Sequence, residues 1–208
     1  MQYGLIGWPL GHSISPQLHR RLAGVNYELH PLPEEQFDRF MREKDFAAVN
    51  VTIPYKRRVL PYCVQLTPAA QRCGSVNLLV KGPDGTLTGD NTDLAGLTFL
   101  LRQNGRSLAG ETVVILGSGG TGHTAKAAAE ELGAAEIAVV SRTGELNYEN
   151  LAERYGDRAF YLINTTPVGM APESGVSPLE LRAFPHCKGV VDVIYNPLRT
   201  RLCQQAAA

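Results

Sequence analysis

The sequence has 208 residues, 44% of them hydrophobic, and its 20 basic side chains are balanced by 20 acidic ones. A chain of this length forms one large domain or two small ones, and its apolar content is too high for a disordered protein. The balanced charge creates no field that would attract nucleic acid. No apolar run approaches the roughly 20 residues of a membrane span. We therefore expect a globular protein that binds neither nucleic acid nor a membrane.

The first residues and the cysteines indicate a cytoplasmic protein. The N-terminal segment lacks the basic region and the apolar core of a signal peptide. The cysteines show no C-x-x-C spacing, so we expect reduced thiols and neither a metal site nor a disulfide framework. These cysteines are Cys63, Cys73, Cys187 and Cys203.

The first half of the chain alternates between predicted strands and predicted helices. A hydroxyl residue followed by proline, at Ser15-Pro16 and at Thr67-Pro68, predicts an N-cap and the first helical residue. Phe37, Phe40 and Met41 share one face of an amphipathic helix. This alternation predicts a mostly parallel sheet covered on both faces. The predicted strands cover residues 3–7, 26–31 and 46–51, and the predicted helices cover residues 15–23 and 33–41 and begin again at residues 54 and 68.

A hairpin and a helix follow. The segment Gly82-Pro83-Asp84-Gly85 lies between apolar residues 76–80 and residues 86–88, and it predicts a hairpin turn. Thr92 is the predicted N-cap of a helix that runs to about Gln103 and is ended by Asn104-Gly105. We place the domain boundary near the start of this helix, which divides the chain into residues 1–93 and residues 94–208.

The second half opens with a strand, a glycine turn and a helix. Aliphatic residues 112–116 run into Gly117-Ser118-Gly119-Gly120-Thr121-Gly122, and a helix-forming segment follows. In this context G-x-G-x-x-G indicates dinucleotide binding. Gly117 permits the tight turn, Gly119 lets a pyrophosphate approach the backbone, and Gly122 lets helix and strand pack closely. The helix N-terminus offers N–H groups to the phosphates. The alternative is a glycine-rich turn that binds nothing.

Ser141-Arg142-Thr143 ends the next predicted strand, about twenty residues past the glycines. In NAD-binding proteins an acidic residue here accepts a hydrogen bond from the ribose 2′-hydroxyl, and it would repel a 2′-phosphate. An arginine with flanking hydroxyls would hold that phosphate, so we predict NADP(H) as the cofactor. The alternative is that Arg142 is only a solvated strand-end residue. The remaining predicted strands cover residues 135–141, 160–164 and 189–194, and the remaining predicted helices cover residues 145–155 and 200–208.

Six short motifs occur in order along the chain. They are Gly11-His12-Ser13-Ile14-Ser15-Pro16, Asn50-Val51-Thr52-Ile53-Pro54-Tyr55-Lys56, Ser75-Val76-Asn77, Gly89-Asp90-Asn91-Thr92-Asp93, Asn164-Thr165-Thr166-Pro167-Val168-Gly169-Met170 and Asp192-Val193-Ile194-Tyr195-Asn196-Pro197. Together they resemble the shikimate dehydrogenase family over essentially the whole chain. The resemblance implies an α/β protein with an N-terminal α/β substrate domain, a C-terminal Rossmann-type NADP-binding domain and a cleft between them. It also implies an oxidoreductase that uses NADPH to reduce 3-dehydroshikimate to shikimate in aromatic amino-acid biosynthesis.

The resemblance implies that Lys56 is the catalytic lysine and Asp93 its partner aspartate. Adding a hydride to a ketone builds negative charge on the oxygen, and a cation able to give a proton would stabilise that charge. A carboxylate near Lys56 would orient the ammonium group and keep it charged. Taken alone, the two residues also fit an exposed lysine on the first turn of a helix and a first-turn acid favoured by the helix dipole.

The substrate carries a carboxylate and ring hydroxyls, and several residues match family positions that bind them. Ser13 and Ser15 match the carboxylate-binding serines, although Ser15 is also the predicted N-cap. Thr52 and Asn77 match positions that bond the ring hydroxyls, with Asp93 sharing one of them.

Three further residues and one histidine belong to the same motifs. Tyr195 matches a family tyrosine near the substrate carboxylate, and the alternative is a buried aromatic at a strand end. Thr165 and Thr166 are expected to line the cofactor near its nicotinamide end, at the carboxyl edge of the sheet. His12 is given no role.

The chain departs from the family pattern at its C-terminal end. The pattern continues with a segment that carries Met-Leu-x-x-Gln and returns a helix to the first domain, whereas this sequence stops at Ala208. We expect weaker substrate binding and an apolar groove on the first domain. Two explanations stay open: a truncated form, or a partner subunit, as in a homodimer, that covers the groove.

Two other functions also stay open. One is a quinate/shikimate dehydrogenase that uses NAD, against which Ser141-Arg142-Thr143 argues. The other is a catalytically silent ligand-binding or regulatory relative, against which the presence of both Lys56 and Asp93 argues.

Overall fold

The chain forms two compact units, Met1–Asp93 and Leu94–Ala208, in a computed structural model that describes residues 1–11, 13–103 and 107–208. His12 and the predicted helix end at Asn104-Gly105 lie outside the described residues.

The first unit is built on a six-stranded sheet in the order β2-β1-β3-β5-β6-β4. Its strands are parallel except for β5, which runs antiparallel to both β3 and β6, so the predicted mostly parallel sheet is confirmed. The β5–β6 pair is the predicted hairpin, and its turn contains Gly85 at φ 80°. The strands are β1 Tyr3–Gly7, β2 Glu28–Pro31, β3 Ala48–Val51, β4 Gln65–Leu66, β5 Leu78–Lys81 and β6 Leu87–Asp90, and the helices are α1 Ser15–Ala23, α2 Glu34–Glu43 and α3 Pro68–Cys73.

The core of this unit lies between the sheet and α2. Phe37 and Met41 of α2 are fully buried, and Phe40 packs against the same cluster, as the amphipathic pattern predicts. The α3 helix begins as predicted, because the Thr67 hydroxyl accepts a hydrogen bond from the Ala70 N–H at 3.2 Å.

The prediction that Ser15 is an N-cap is wrong. Ser15 is the first helical residue, and Ile14 occupies the cap position without a side-chain hydrogen bond. The hydroxyl that serves this helix end belongs to Ser13, whose Oγ accepts the Ser15 N–H at 3.2 Å.

The predicted helix at Pro54 is also wrong. Residues 53–59 form a series of turns, followed by the short 3-10 helix Leu60–Tyr62. Distant segments compete for the carbonyls that a helix would use: the Ile53 carbonyl accepts a hydrogen bond from the Trp8 N–H at 2.9 Å, and the Lys56 carbonyl accepts one from the Val76 N–H at 2.8 Å.

The second unit contains an all-parallel sheet in the order β10-β9-β7-β8. The chain passes from β7 to β8 on one side and then returns to β9 on the other, which makes the carboxyl end of β7 a topological switch point. The strands are β7 Thr112–Leu116, β8 Glu136–Val140, β9 Phe160–Asn164 and β10 Cys187–Asp192, and the helices are α5 Gly120–Glu131, α6 Leu151–Tyr155 and α7 Arg201–Ala206. The α4 helix, Thr92–Gln103, begins with the last two residues of the first unit and continues into the second.

One predicted helix of this unit is much shorter than expected. Of residues 145–155 only Leu151–Tyr155 is helical. The Asn147 carboxamide oxygen accepts the N–H groups of Glu149 and Asn150, and the Asn150 carboxamide oxygen accepts the Asn147 N–H. These side chains offer the backbone an alternative to helical hydrogen bonds, which explains the late start of α6.

The last helix and its cap agree with the prediction that Thr200 begins it. Thr200 is the N-cap of α7, and its Oγ1 accepts the Cys203 N–H at 3.2 Å. Within the described part of the chain, every helix falls short of the length and apolar character that crossing a membrane would need.

Candidate active site

A close ion pair joins Lys56 and Asp93 in the first unit. The Lys56 Nζ lies 2.6 Å from Asp93 Oδ2, and the two side chains are 13% and 37% exposed. Lys56 lies in the turn after β3, and Asp93 lies in the first turn of α4. The alternative that Lys56 is an exposed lysine on the first turn of a helix is therefore wrong. Its side chain is largely shielded from solvent, and its segment is not helical.

The sheet topology brings the other predicted substrate residues of this unit to one edge. Val51 at the end of β3 pairs with Ile6 of β1, and Asn50 pairs with Leu78 at the start of the reversed strand β5. Leu78 in turn pairs with Asp90 at the end of β6. The residues that follow β1, β3 and β6 or precede β5 therefore share this edge. Thr52 follows β3 directly, Asn77 directly precedes β5, and Asp93, paired with Lys56, lies just past β6. Ser13 and Ser15 lie farther along the chain after β1.

The two serines form a hydroxyl pair. Ser13 Oγ donates to Ser15 Oγ at 3.0 Å while it accepts the Ser15 N–H. Ser13 donates its hydroxyl proton to Ser15, so the Ser15 hydroxyl is the one that keeps a proton to donate to an anionic group at this point.

Asn77 fixes the start of the helix that carries Asp93. Its Oδ1 accepts hydrogen bonds from the Thr92 N–H at 2.8 Å and from the Thr92 hydroxyl at 3.2 Å, and its Nδ2 lies 2.9 Å from Thr92 Oγ1. Asn77 is itself buried. Its amide therefore holds the first turn of α4 against the start of β5, whatever it contributes to ligand binding.

A second layer of buried polar residues supports this arrangement, and sequence reasoning missed it. Asn91 Nδ2 donates to both the carbonyl and the hydroxyl of Ser75 at 3.0 Å. Asp90 Oδ1 accepts the Asn91 N–H at 2.7 Å and a very short hydrogen bond from the Thr67 hydroxyl. The Asn91–Ser75 contacts join the Ser75–Asn77 motif to the Gly89–Asp93 motif, and the Thr67–Asp90 contact joins the latter to the start of α3. The only sequence signal for them was their membership of those motifs.

The glycine turn of the second unit lies at the switch point. Gly117 has φ 105°, a conformation that a side chain would strain. A Cβ on Gly122 would lie 2.1 Å from the Gly117 carbonyl oxygen, so helix and strand approach as closely as predicted. A Cβ on Gly119 would meet nothing within 4 Å, so the backbone there faces open space. A helix N-terminus beside exposed backbone fits a pyrophosphate.

The other predicted cofactor residues flank this turn. Val140 pairs with Leu116, so Ser141 follows β8 beside Gly117, while Arg142 and Thr143 are exposed. Burial raises the pKa of the nearby Tyr148, and the charge of Arg142 opposes that rise. An exposed guanidinium next to the glycine turn fits a ribose 2′-phosphate.

Thr165 and Thr166 border the turn on the β9 side. Thr165 Oγ1 donates to the Leu116 carbonyl at 2.7 Å, and Thr166 Oγ1 donates to Asn164 Oδ1 at 2.8 Å. Asn164 is fully buried and donates to Asp192 Oδ1 at 3.1 Å. Sequence reasoning assigned no role to Asn164 and Asp192, which hold this edge in place.

Tyr195 belongs to the second unit and follows β10. It is 50% exposed, so it is not the buried strand-end aromatic that was the alternative.

The side chains that could bind a metal ion are dispersed in the described part of the chain. Among the described residues, no cluster of three or more His, Cys, Asp or Glu side chains could hold a metal ion. The four cysteines are free thiols. Burial raises the pKa of Cys63 to about 11 and also raises that of Cys187.

Comparison with known proteins identifies the family. A family model described as the shikimate dehydrogenase substrate binding domain matches residues 5–79. The shikimate dehydrogenase (NADP(+)) of Oleidesulfovibrio alaskensis is 36% identical, and the match spans 99% of this chain and 80% of the relative.

Solved structures of shikimate dehydrogenases are also similar to this chain. Shikimate dehydrogenase 1 from Peptoclostridium difficile has a TM-score of 0.90 at 30% identity, covering 100% of this chain and 83% of that one. The shikimate 5-dehydrogenase of Thermus thermophilus, solved in complex with NADP(H) and shikimate, has a TM-score of 0.80 at 34% identity, covering 100% and 84%. The chain belongs to the shikimate dehydrogenase family.

Proposed function

We propose that Lys56 and Asp93 form the proton-transfer pair of this chain, which is an NADP-dependent shikimate dehydrogenase. The enzyme catalyses the reversible reduction of 3-dehydroshikimate to shikimate in aromatic amino-acid biosynthesis. The observation that carries the assignment is the 2.6 Å contact between Lys56 Nζ and Asp93 Oδ2 at a sheet edge lined by hydroxyl and amide groups.

The pair can stabilise and protonate a developing alkoxide. Bound NADP(H) supplies the hydride in one direction and accepts it in the other. Lys56 Nζ holds the proton that the substrate oxygen gains on reduction, and its positive charge stabilises that oxygen. Asp93 orients the ammonium group, because a charge-assisted hydrogen bond of this length restricts a flexible lysine.

The remaining edge residues orient the substrate. The hydroxyl pair of Ser13 and Ser15 suits its carboxylate, and Thr52 and Asn77 suit its ring hydroxyls. Tyr195 is proposed to contact the carboxylate. We accordingly assign substrate binding to residues 1–93 and dinucleotide binding to residues 94–208.

The second unit is proposed to hold NADP(H) through the glycine turn and its neighbours. The open backbone at Gly119 and the helix start at Gly120 suit the pyrophosphate, and the exposed Arg142 suits the 2′-phosphate. The full proposed set is Gly117, Ser118, Gly119, Gly120, Thr121, Gly122, Ser141, Arg142, Thr143, Thr165 and Thr166.

One assay tests this function against its alternatives. Formation of the reduced cofactor is followed by absorbance with shikimate, with quinate and with neither substrate, first with NADP⁺ and then with NAD⁺. We expect turnover of shikimate with NADP⁺. Faster turnover of quinate with NAD⁺ would favour the quinate/shikimate enzyme, and no turnover with any combination would favour a silent relative.

A homodimer and a cytoplasmic location remain proposals. The homodimer is supported by α1, which buries none of its residues and exposes Leu18 and Leu22. Light scattering tests it, and a monomeric mass at high concentration would contradict it. The location is supported by the four free thiols, and cell fractionation tests it.

A further inference from the structure

Contacts to distant parts of the first unit help to hold the turn that carries Lys56, in addition to the local backbone hydrogen bonds of the turn. Its carbonyls at Ile53 and Lys56 accept hydrogen bonds from Trp8 and Val76. A lysine side chain is long and flexible, so the position of its Nζ depends on how firmly its backbone is held. The contacts that fix this turn therefore bear directly on the Lys56–Asp93 distance.

Tyr55, the residue next to Lys56, makes the most buried of these contacts. Its side chain is fully buried, and its hydroxyl donates a 2.6 Å hydrogen bond to the Leu32 carbonyl. Its ring stacks on Phe37 with the centroids 4.4 Å apart. Burial raises the pKa of Tyr55, so the hydroxyl keeps the proton that it donates.

Arg58 packs against the Tyr55–Phe37 ring pair on the side that faces solvent. Its guanidinium lies 4.5 Å from the centroid of the Phe37 ring and forms a 2.6 Å ion pair with Glu34. Both Glu34 and Phe37 belong to α2. Tyr55 and Arg58 therefore attach the turn to this helix on either side of Lys56.

We propose that Tyr55 is a positioning residue for Lys56, because its hydroxyl bond to Leu32 and its stacking on Phe37 hold the turn in the place that lets Lys56 Nζ meet Asp93 and the substrate oxygen. The inference rests on the proposed catalytic role of Lys56. Small displacements of a catalytic group lower rates steeply, so loss of one buried hydroxyl bond should be visible in turnover.

The chain offers a matched control in Tyr62. Its ring also contacts Phe37, edge-on at 5.9 Å, and its hydroxyl also makes one hydrogen bond, to Asp38 Oδ1 at 2.8 Å. It follows the turn but is not adjacent to Lys56. Tyr55→Phe and Tyr62→Phe thus each remove one hydroxyl bond from the same aromatic cluster. The bond of Tyr55 is buried and beside the lysine, whereas that of Tyr62 is exposed and six residues away from it.

The experiment compares kcat and KM of the two variants at a temperature where circular dichroism shows both to be fully folded. We expect Tyr55→Phe to lower kcat about tenfold with the KM values for shikimate and NADP⁺ unchanged, since only transition-state stabilisation is lost. Tyr62→Phe should stay within about twofold of the parent. Equal kcat values in the two variants, or a loss that follows the folded fraction, would overturn the inference.

Two further variants keep the result decisive. Should Tyr55→Phe not fold, Arg58→Met loosens the same turn from its exposed side; kcat at the parent level would then overturn the inference, and a severalfold loss at constant KM would support it. Lys56→Ala separates the two proposals. If it abolishes turnover while the two tyrosine variants match, only the role of Tyr55 fails; if it turns over like the parent, the proposed role of Lys56 and the inference both fail.

Discussion

At the scale of single residues, the site depends on two charges brought together from distant parts of the sequence. Lys56 is mostly shielded from solvent, whereas Asp93 keeps about a third of its surface exposed. An ion pair of this kind contributes modestly to stability because solvent screens one partner. Under the proposed function its larger effect is on the reaction rate, because it holds the lysine in one orientation.

Asp93→Asn should therefore reduce activity more than stability. Removing the carboxylate charge leaves Lys56 without the partner that orients it, and we expect kcat to fall by about 10- to 100-fold, within the range typical of acid–base groups. Steady-state kinetics with shikimate and NADP⁺ measure this. Glu111→Gln breaks a 2.5 Å ion pair with Lys188 in the other unit and serves as the control. Equal rates for the two variants would contradict a role for Asp93.

Arg142→Ala should change cofactor choice. NADP⁺ carries a 2′-phosphate that the exposed guanidinium can bind, whereas NAD⁺ does not. We therefore expect the Kd for NADP⁺ to rise on the order of tenfold, or about 1.4 kcal/mol, and the Kd for NAD⁺ to stay unchanged. Titration with both cofactors measures the ratio. An unchanged ratio would remove Arg142 from the cofactor site.

The contact between Lys56 and Asp93 could be predicted from the sequence, whereas the contacts that support it could not. Two of the six motifs contain Lys56 and Asp93. Arg142 occupies the position after β8 where the charge of the side chain bears on the choice between NAD and NADP. The Ser75–Asn91 contact and the bond from Tyr55 to Leu32 depend on which segments meet in space. A serine or an asparagine in a short motif looks the same in sequence whether it binds a ligand or another side chain.

At the scale of elements, two glycines of the turn meet different requirements, one set by packing and one by the proposed ligand. Gly122 faces the Gly117 carbonyl at a distance that excludes a Cβ, whereas Gly119 faces open space with an ordinary extended backbone at φ −77°. One glycine is therefore required by packing, and the other leaves room for a bound group.

Substitution by alanine should separate these two requirements. Gly122→Ala should destabilise the protein by about 1–3 kcal/mol, because the helix must move away from β7. Gly119→Ala should unfold like the parent but bind NADP⁺ on the order of tenfold more weakly, since a methyl group would occupy the approach of the pyrophosphate. Urea unfolding and cofactor titration measure the two effects. If Gly119→Ala bound NADP⁺ like the parent, the pyrophosphate would lie elsewhere.

Elements with a repeating apolar pattern were predictable, and irregular ones were not. The strand, glycine turn and helix around Gly117, the β5–β6 hairpin and the capped helix at Thr67 all occur where the sequence indicates. The turn at Pro54 and the late start of α6 do not follow the pattern, because tertiary hydrogen bonds in one case and asparagine side chains in the other replace the helical ladder.

At the scale of the whole molecule, stability should depend on pH through Glu136. Hydrogen bonds from Arg158 and Tyr155 hold the pKa of this carboxyl below its usual range. The folded pKa is lower than the unfolded value of about 4.3, so the stabilisation is present above that value and is lost as the pH falls through the folded pKa.

Glu136→Gln should therefore lose less stability than the parent on acidification. We expect a smaller fall in Tm between neutral pH and about pH 3, because the variant has no carboxyl to protonate at this position. Glu145→Gln, which removes the mostly exposed partner of Arg154, should behave like the parent. A fall in Tm as steep as that of the parent would show that other groups control acid unfolding.

The most direct measurement of the central claim is the turnover of shikimate by Lys56→Ala. With NADP⁺ binding retained in a titration, we predict a fall in kcat of at least about 100-fold, as expected for loss of the group that holds the transferred proton. A variant that binds NADP⁺ and oxidises shikimate at a rate within about twofold of the parent would contradict the assignment of the Lys56–Asp93 pair.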